Sequence, residues 1–301
     1  MKVKLISYTR LGENIIAAAS KQTISKHPVQ PSELTDSQVS KWIKELFRRQ
    51  HWSPLEFSEY TFLVEGISRV ASHQLVRHRI ASYCQLSQRY SEGLLRNLVL
   101  RICREKGIEC PEKPAGNDTY LYYSIVVRDA THEYMNPEKL ISIVTESYVI
   151  PPYIPIEQQV DIAYKYLDAT ATYYQLLSQG VAKEDARFVL PQAIKTIIYV
   201  KMNARELVTS FLPLRMCSRA QWEIRKLAWK MYNLLVKVHP RIFMYAGPRC
   251  VLLENTFRNE PIPLKKLLTG EENFTIPRCP ELVMRDKIRE CIVSHKVINN
   301  I

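Results

Sequence analysis

The sequence predicts a helix-rich α/β fold of the α+β kind, and three observations carry that prediction. Apolar residues recur at helical spacing in several long segments. Two short runs rich in β-branched and aromatic residues read as strands. Thr, Asn or Ser stands three residues ahead of Gln or Glu at three helix starts. Apolar residues make up 46% of the 301 positions, which excludes disorder throughout the chain. A chain of this length buries its core as one large domain or two smaller ones.

Met1 to Thr9 sets Val3, Leu5 and Ile6 among polar neighbours and reads as a strand, and Asn14 to Ala19 begins a helix. Thr35 and Gln38 form a capping box, with Ser37 as an alternative cap. Val39, Trp42, Ile43, Leu46 and Phe47 then make an apolar stripe ending near His51. From Phe62 through Val64, Ile67, Val70, Ala71 and Leu75 the spacing predicts a helix that delivers Arg77, His78 and Arg79 to its end or edge. Gly107 to Thr119 collects Gly, Pro, Asn and Asp and reads as a surface excursion. Ile156 to Leu177 is a long helix stopped by Gly180, and Thr196 to Val200 is a strand. Asn203 with Glu206, and Ser218 with Gln221, read as capping boxes. The second heads an amphipathic helix with Ala220, Ile224, Leu227, Met231 and Leu235 on its stripe. Beyond Pro240 the chain turns Pro-rich, and Leu282 to Val293 has helical character. These changes divide the sequence into a principal domain over 1–240, with an insertion at about 95–135, and a C-terminal extension over 241–301 that packs on the same domain or on a partner subunit.

The excess of 42 Lys and Arg over 30 Asp and Glu gives a net charge of +12 and predicts polyanionic partners. No apolar run approaches the roughly 18 residues of a membrane span, so no membrane partner is expected. Zinc-finger, RNP-like and Walker patterns are missing from the sequence, which argues against specific nucleic-acid recognition and leaves phosphorylated small molecules. Seven cysteines without a CxxC pair suggest neither a disulfide scaffold nor a metal site, and a reducing, cytoplasmic compartment is expected.

The densest chemical signal runs from Arg77 to Tyr90 and holds three guanidinium groups, an imidazole and several hydroxyls. Arginine forks bond two phosphate oxygens at once, so the cluster suits a phosphorylated ligand. Arg77 and Arg79 cannot share one helix face, so at least one of them turns inward or lies past the helix end.

The Arg-His-Arg triplet, seven residues and then Ser87 resemble the signature of the flavin-dependent thymidylate synthase (ThyX) family. The likeness extends through Glu65 to Arg69, Gln74 to Val76, Arg89-Tyr90, Ala186 to Gln192, Asn203 to Leu207, Leu214-Arg215 and Arg219 to Arg225. It implies a ThyX-like fold with a central, mainly antiparallel sheet and long helices, assembled as a homotetramer with active sites shared between subunits. It also implies reductive methylation of dUMP to dTMP, with 5,10-methylenetetrahydrofolate as carbon donor, FAD as hydride donor, NADPH as its reductant and tetrahydrofolate as coproduct. The protein would then be a flavoprotein methyltransferase of dTMP biosynthesis.

Carried over residue by residue, the resemblance puts Arg215 beside the uracil as the catalytic group. Gln74, Arg77, Gln85, Leu86, Ser87, Gln88, Arg89 and Arg187 join it around dUMP. His51, Ser53, Arg77, His78, Arg79, Gln85, Asn203, Ala204, Arg205 and Thr209 are implied for FAD, with Ser210 an alternative to Thr209. A fixed guanidinium acts through preorganised charge, because it does not serve as a base near neutral pH. The sequence departs from the family at Cys84 for Asn, Gln85 for Glu and Phe57 for His. It also departs at Val208 to Phe211, which lacks a histidine and is one residue longer.

Overall fold

The computed structural model describes residues 1–133 and 135–293, so residues 294–301 of the extension lie outside the described residues. The chain forms two compact units, one from residues 1–64, 73–84 and 198 onward, the other from 65–72 and 85–197. A helix-rich fold around a mainly antiparallel sheet is present as expected. The four strands are β1 (Lys2–Tyr8), β2 (Glu59–Ser68), β3 (Ala81–Gln85) and β4 (Lys195–Asn203), in the order β1-β2-β4-β3.

In the first unit, α1 (Gly12–Gln22) and α2 (Asp36–Arg49) follow β1. The Thr35 capping box closes on both sides: Gln38 N donates to Thr35 Oγ1 at 3.3 Å, and Thr35 N donates to Gln38 Oε1 at 3.0 Å. The stripe predicted for α2 buries Val39, Ile43, Leu46 and Phe47. In β4, Thr196, Ile198, Val200 and Met202 are buried in alternation. The helix Trp222–Val238 buries Ile224, Leu227, Met231 and Leu235 as its spacing predicts.

Two readings need correction. The segment from Phe62 is not helical until Arg69: Tyr60, Phe62 and Val64 are buried in alternation as strand β2, and the helix α3 spans only Arg69–Leu75. Val64, Ile67 and Ala71 fit a helical period, but aromatic and β-branched residues favour a pleated surface here. Gly66, at φ 75°, breaks the strand alternation so that Ile67 and Ser68 are both buried. The cap of Trp222–Val238 is Gln221, whose Oε1 accepts from Glu223 N and Ile224 N at 2.9 and 3.2 Å, and not Ser218.

The second unit packs α4 (Gly93–Lys106), α5 (Asn117–His132), α6 (Pro137–Val144) and α7 (Ile156–Ser178) around one apolar cluster. Tyr123, Tyr148, Tyr173 and Tyr174 are fully or nearly fully buried there. Tyr174 donates to Glu92 Oε2 at 3.1 Å, and Tyr148 and Thr170 share a hydroxyl contact at 2.7 Å. The 107–119 loop is mostly exposed, whereas its flanks in α4 and α5 supply Leu98, Val99, Ile102, Val126 and Val127 to the core. A disulfide joins Cys103, in the last turn of α4, to Cys110, with their Cα atoms 6.0 Å apart. Sequence spacing missed it because Gly107, at φ 66°, reverses the chain between the two cysteines.

Three groups brace the first unit. Tyr60 Oη donates to His239 Nδ1 at 2.6 Å and accepts from Ser58 Oγ at 3.0 Å. Burial pulls the His239 imidazole down to about 4, and burial pushes the Tyr60 phenol up. A Cβ on Gly12 would fall 2.4 Å from Ser58 Oγ and 2.7 Å from a ring carbon of His239, so only glycine fits against this trio.

Because the unfolded chain binds the His239 proton first, stability is predicted to fall as pH drops from 6.5 towards about 4. The full loss is about 3 kcal/mol, visible in urea titrations across that window and largely removed by His239→Gln. Gly12→Ala is expected to cost about 2 kcal/mol through overpacking, and an unchanged midpoint would contradict the packing described.

Candidate active site

In the first unit the Arg77-His78-Arg79 triplet sits just beyond the end of α3. Tyr83 in β3 fixes this turn, since its hydroxyl donates to the carbonyls of Leu75 and His78 at 2.8 Å each. Arg77 and Arg79 stay exposed and make no ion pair among the described residues, while His78 turns inward and is only 5% exposed.

His78 is the middle of a line of three side chains. Arg215 Nε donates to His78 Nε2 at 3.0 Å, so Nε2 is an acceptor and the proton sits on Nδ1. Nδ1 donates to buried Glu206 Oε1 at 2.9 Å, with Ser210 Oγ 3.2 Å away. The Phe211 ring stands edge-on to the imidazole at 5.1 Å.

Local sequence explains the arrangement. Asn203 Oδ1 accepts from Glu206 N at 2.8 Å, which is half of the predicted capping box. The other half is not made with Asn203, because the Glu206 carboxylate goes to His78. Residues Leu207–Phe211 then form a π-helical turn, the conformation that takes up an extra residue, in the segment where the resemblance implied one. Ser210 points from that turn to His78, whereas Thr209 Oγ1 donates back to Arg205 O at 2.8 Å.

The Arg215 guanidinium also donates to Gln74 Oε1 at 3.4 Å and to Gln74 O at 3.2 Å. All of these acceptors are neutral, and Arg215 has no carboxylate in ion-pair range among the described residues. A structural salt bridge is therefore not its role. Burial lowers the guanidinium below its ordinary value, with Tyr83 acting in the opposite sense.

The remaining flavin candidates of this unit are spread around the same elements. His51 and Ser53 are exposed, and His51 lines a cavity of about 380 Å³ together with Trp42, Arg48 and Arg49. Arg205 forms an ion pair with Glu56, next to exposed Phe57. Ala204 is buried and its N donates to Ser58 O at 2.8 Å.

In the second unit, Gln85 Nε2 donates to Ser72 Oγ and Thr196 Oγ1 at 2.9 and 3.1 Å, which leaves its carbonyl oxygen for another partner. The following turn is held by Leu86 N on Ile197 O at 2.9 Å and by Ser87, whose Oγ accepts from Arg89 N at 3.2 Å. Gln88 Nε2 is buried without a hydrogen-bond partner among the described residues, a costly state that a bound polar ligand relieves. Arg89 is paired with Glu184 at 2.7 Å. Arg187 donates to Glu184 O at 3.0 Å, and it is close enough to Arg69 to lower that guanidinium, second to burial. Neither guanidinium has a carboxylate in ion-pair range among the described residues, so the pair is a candidate anion site. Arg69 and Glu206 were not singled out as site residues from the sequence. The only signal was that both lie inside stretches resembling the family.

The family model described as "Thymidylate synthase complementing protein" matches residues 4–241. The flavin-dependent thymidylate synthase of Aeropyrum pernix is 49% identical over 97% of this chain and 92% of its own length. That of Sulfurisphaera tokodaii is 42% identical over 98% and 97%. The chain belongs to the flavin-dependent thymidylate synthase family. It is thus an enzyme of this family, with the fold the resemblance implied. Among solved structures, ThyX from Helicobacter pylori complexed with FAD and dUMP superposes with a TM-score of 0.56 at 25% identity, covering 82% of this chain and all of that one. The family match stops at 241, but the A. pernix and S. tokodaii relatives align over nearly the whole chain, so the extension is shared with them.

Glu206→Ala is predicted to cost about 2 kcal/mol, because it leaves the buried Nδ1–H of His78 without its main acceptor. Inorganic phosphate should raise the melting temperature of the wild type and lose that effect in Arg69→Gln. Equal shifts in the two proteins would remove Arg69 from the anion site.

Proposed function

We propose that this protein converts dUMP to dTMP, with 5,10-methylenetetrahydrofolate giving the one-carbon unit, FAD as the bound flavin, NADPH as its reductant and tetrahydrofolate as coproduct. The observation that carries the reading is Arg215, a cation held rigidly by neutral acceptors and compensated by no carboxylate among the described residues. Family membership supports it, as does the likeness to the H. pylori protein, which was crystallised with FAD and dUMP.

The residues present fit both ligands. Arg77 and Arg79, exposed and without an ion pair among the described residues, and the cavity beside His51, Trp42, Arg48 and Arg49 offer cationic and aromatic surface of the kind a flavin dinucleotide needs. Ser53, His78, Asn203, Ala204, Arg205 and Thr209 are its other proposed neighbours, with Gln85 in the second unit. Bound FAD supplies and receives the hydride.

For dUMP, the proposed partners are Gln74, Arg77 and Arg215 in the first unit, and Gln85, Leu86, Ser87, Gln88, Arg89 and Arg187 in the second. Arg187 and Arg69 answer the phosphate, and the Gln88 amide gains the partner it lacks. Arg89 would exchange Glu184 for phosphate, since both side chains of that pair are about half exposed. Gln85 presents a neutral carbonyl oxygen where some members of the family carry a carboxylate, so it accepts a hydrogen bond from a ring N–H without adding charge. The Arg215 guanidinium stabilises negative charge as it grows on the uracil, and the Glu206–His78 line keeps it in place so that no reorganisation is needed then. A homotetramer with active sites shared between subunits and a cytoplasmic location belong to the same proposal and rest on the family resemblance.

Anaerobic turnover with FAD, NADPH, dUMP and methylenetetrahydrofolate tests the reading, with dTMP formation and flavin oxidation followed together and dUMP omitted as control. Coupled appearance of dTMP and oxidised flavin is expected, and flavin oxidation without dTMP would contradict the proposal. Arg215→Ala should fold normally and lose at least about 100-fold in turnover. Ser87→Ala should raise the KM for dUMP by about tenfold through the loosened turn.

A further inference from the structure

Four cysteines outside the proposed active site meet in the first unit. Cys217 follows Arg215 by two residues, Cys250 lies in the helix Arg249–Phe257, Cys279 in the turn before Met284, and Cys291 in the helix Arg285–Val293. All four line one small cavity of about 20 Å³, room for little more than one water molecule. Cys250 and Cys279 are buried at 7% and 8% exposure, while Cys217 and Cys291 are half-buried. Ser218 Oγ lies 2.9 Å from Cys291 Sγ, which brings Cys291 to the residue next to Cys217. Cys279 is held by a tight turn, in which its N donates to Val283 O at 2.8 Å and its Sγ accepts from Val283 N at 3.4 Å.

We propose that this cluster is a thiol–disulfide site that closes as Cys217–Cys291 and Cys250–Cys279, the first bridge fastening the C-terminal extension to the segment that carries Arg215. Convergence of four thiols from four separate stretches of chain on one apolar cavity is the main ground. The Cys103–Cys110 bridge shows that this chain accommodates disulfides. Among the described residues no group of three or more His, Cys, Asp and Glu side chains is arranged to hold a metal ion, so the cavity is not read as a metal site.

Burial pushes the Cys217 and Cys250 thiols up, and for Cys250 the nearby thiol of Cys279 adds to the effect. High-pKa thiols are poor leaving groups, so bridges formed from them resist exchange. The oxidant is a small-molecule or protein disulfide. The thiolate of Cys217 attacks one sulfur of that donor and expels the other as a thiolate, giving a mixed disulfide. The thiolate of Cys291 then displaces the second donor sulfur. The two protein thiols lose two electrons, the donor is reduced to two thiols, and the protons released go to the departing sulfurs.

The full chain, incubated with oxidised glutathione and then alkylated in denaturant without reductant, provides the test. Peptide mapping should show Cys217–Cys291 and Cys250–Cys279 cross-links, each about 2 Da lighter than its reduced pair, with Cys84 alkylated. Oxidation should raise the melting temperature by about 5 °C, and dithiothreitol should reverse the rise. Cys291→Ser should lose the first cross-link and keep the second. Alkylation of all four cysteines after oxidation, a different pairing, or one zinc ion per chain protecting the four thiols would each overturn the proposal. The wild-type map decides the matter even if the variant fails to fold.

Discussion

The hydrogen bond from His78 to the buried Glu206 carboxylate is the constraint on which the site depends. It fixes the imidazole tautomer, so Nε2 can only accept, and the acceptor it offers is the one Arg215 needs. The carboxylate arrives from β4 through the Asn203 cap, and Arg215 arrives at the far end of the π-turn that follows. Tyr83 holds the backbone of His78 from the other side. A half-buried guanidinium held by neutral acceptors is preorganised to stabilise negative charge on a ligand.

Away from the proposed site some arginines are matched, Arg241 with Glu13 and Asp36, Arg258 with Glu254 and Glu272, and Arg128 with Asp168, while Arg225, Arg285 and Arg289 donate to neutral oxygens. Glu254 is itself fully buried, and bonds from Arg258, Thr275 and Ile276 outweigh burial and keep its carboxyl below the ordinary value. Arg77, Arg79 and Arg215 in the first unit, and Arg69 in the second, have no carboxylate in ion-pair range among the described residues either. The excess of +12 thus falls partly where an anionic ligand is proposed, which total charge alone could not reveal.

Much of the fold was legible. Strong amphipathic stripes gave α2, α7 and the helix Trp222–Val238, because burial of one face leaves a period in the sequence. The stretch from Phe62 to Leu75 was misread because Val64, Ile67 and Ala71 satisfy a helical period by coincidence, while the strand register of Tyr60, Phe62 and Val64 is set by tertiary packing. The site was legible as a set of residue types through the Arg77 to Ser87 motif. Its wiring was not: Glu206 read as half of a cap, and nothing local says that its carboxylate reaches across 128 positions to His78. The Cys103–Cys110 bridge was missed for a different, local reason: the αL turn at Gly107 brings the two residues together without leaving a CxxC spacing.

The most direct measurement compares dTMP formation and dUMP affinity in Glu206→Gln with the wild type. Glutamine keeps an acceptor for His78 but removes the charge and lets an amide N–H face the imidazole, which frees the tautomer and loosens Arg215. The account predicts a fall in kcat of about tenfold or more with FAD retained and KM for dUMP little changed. Wild-type kcat in that variant would contradict the central role of the Glu206–His78–Arg215 line.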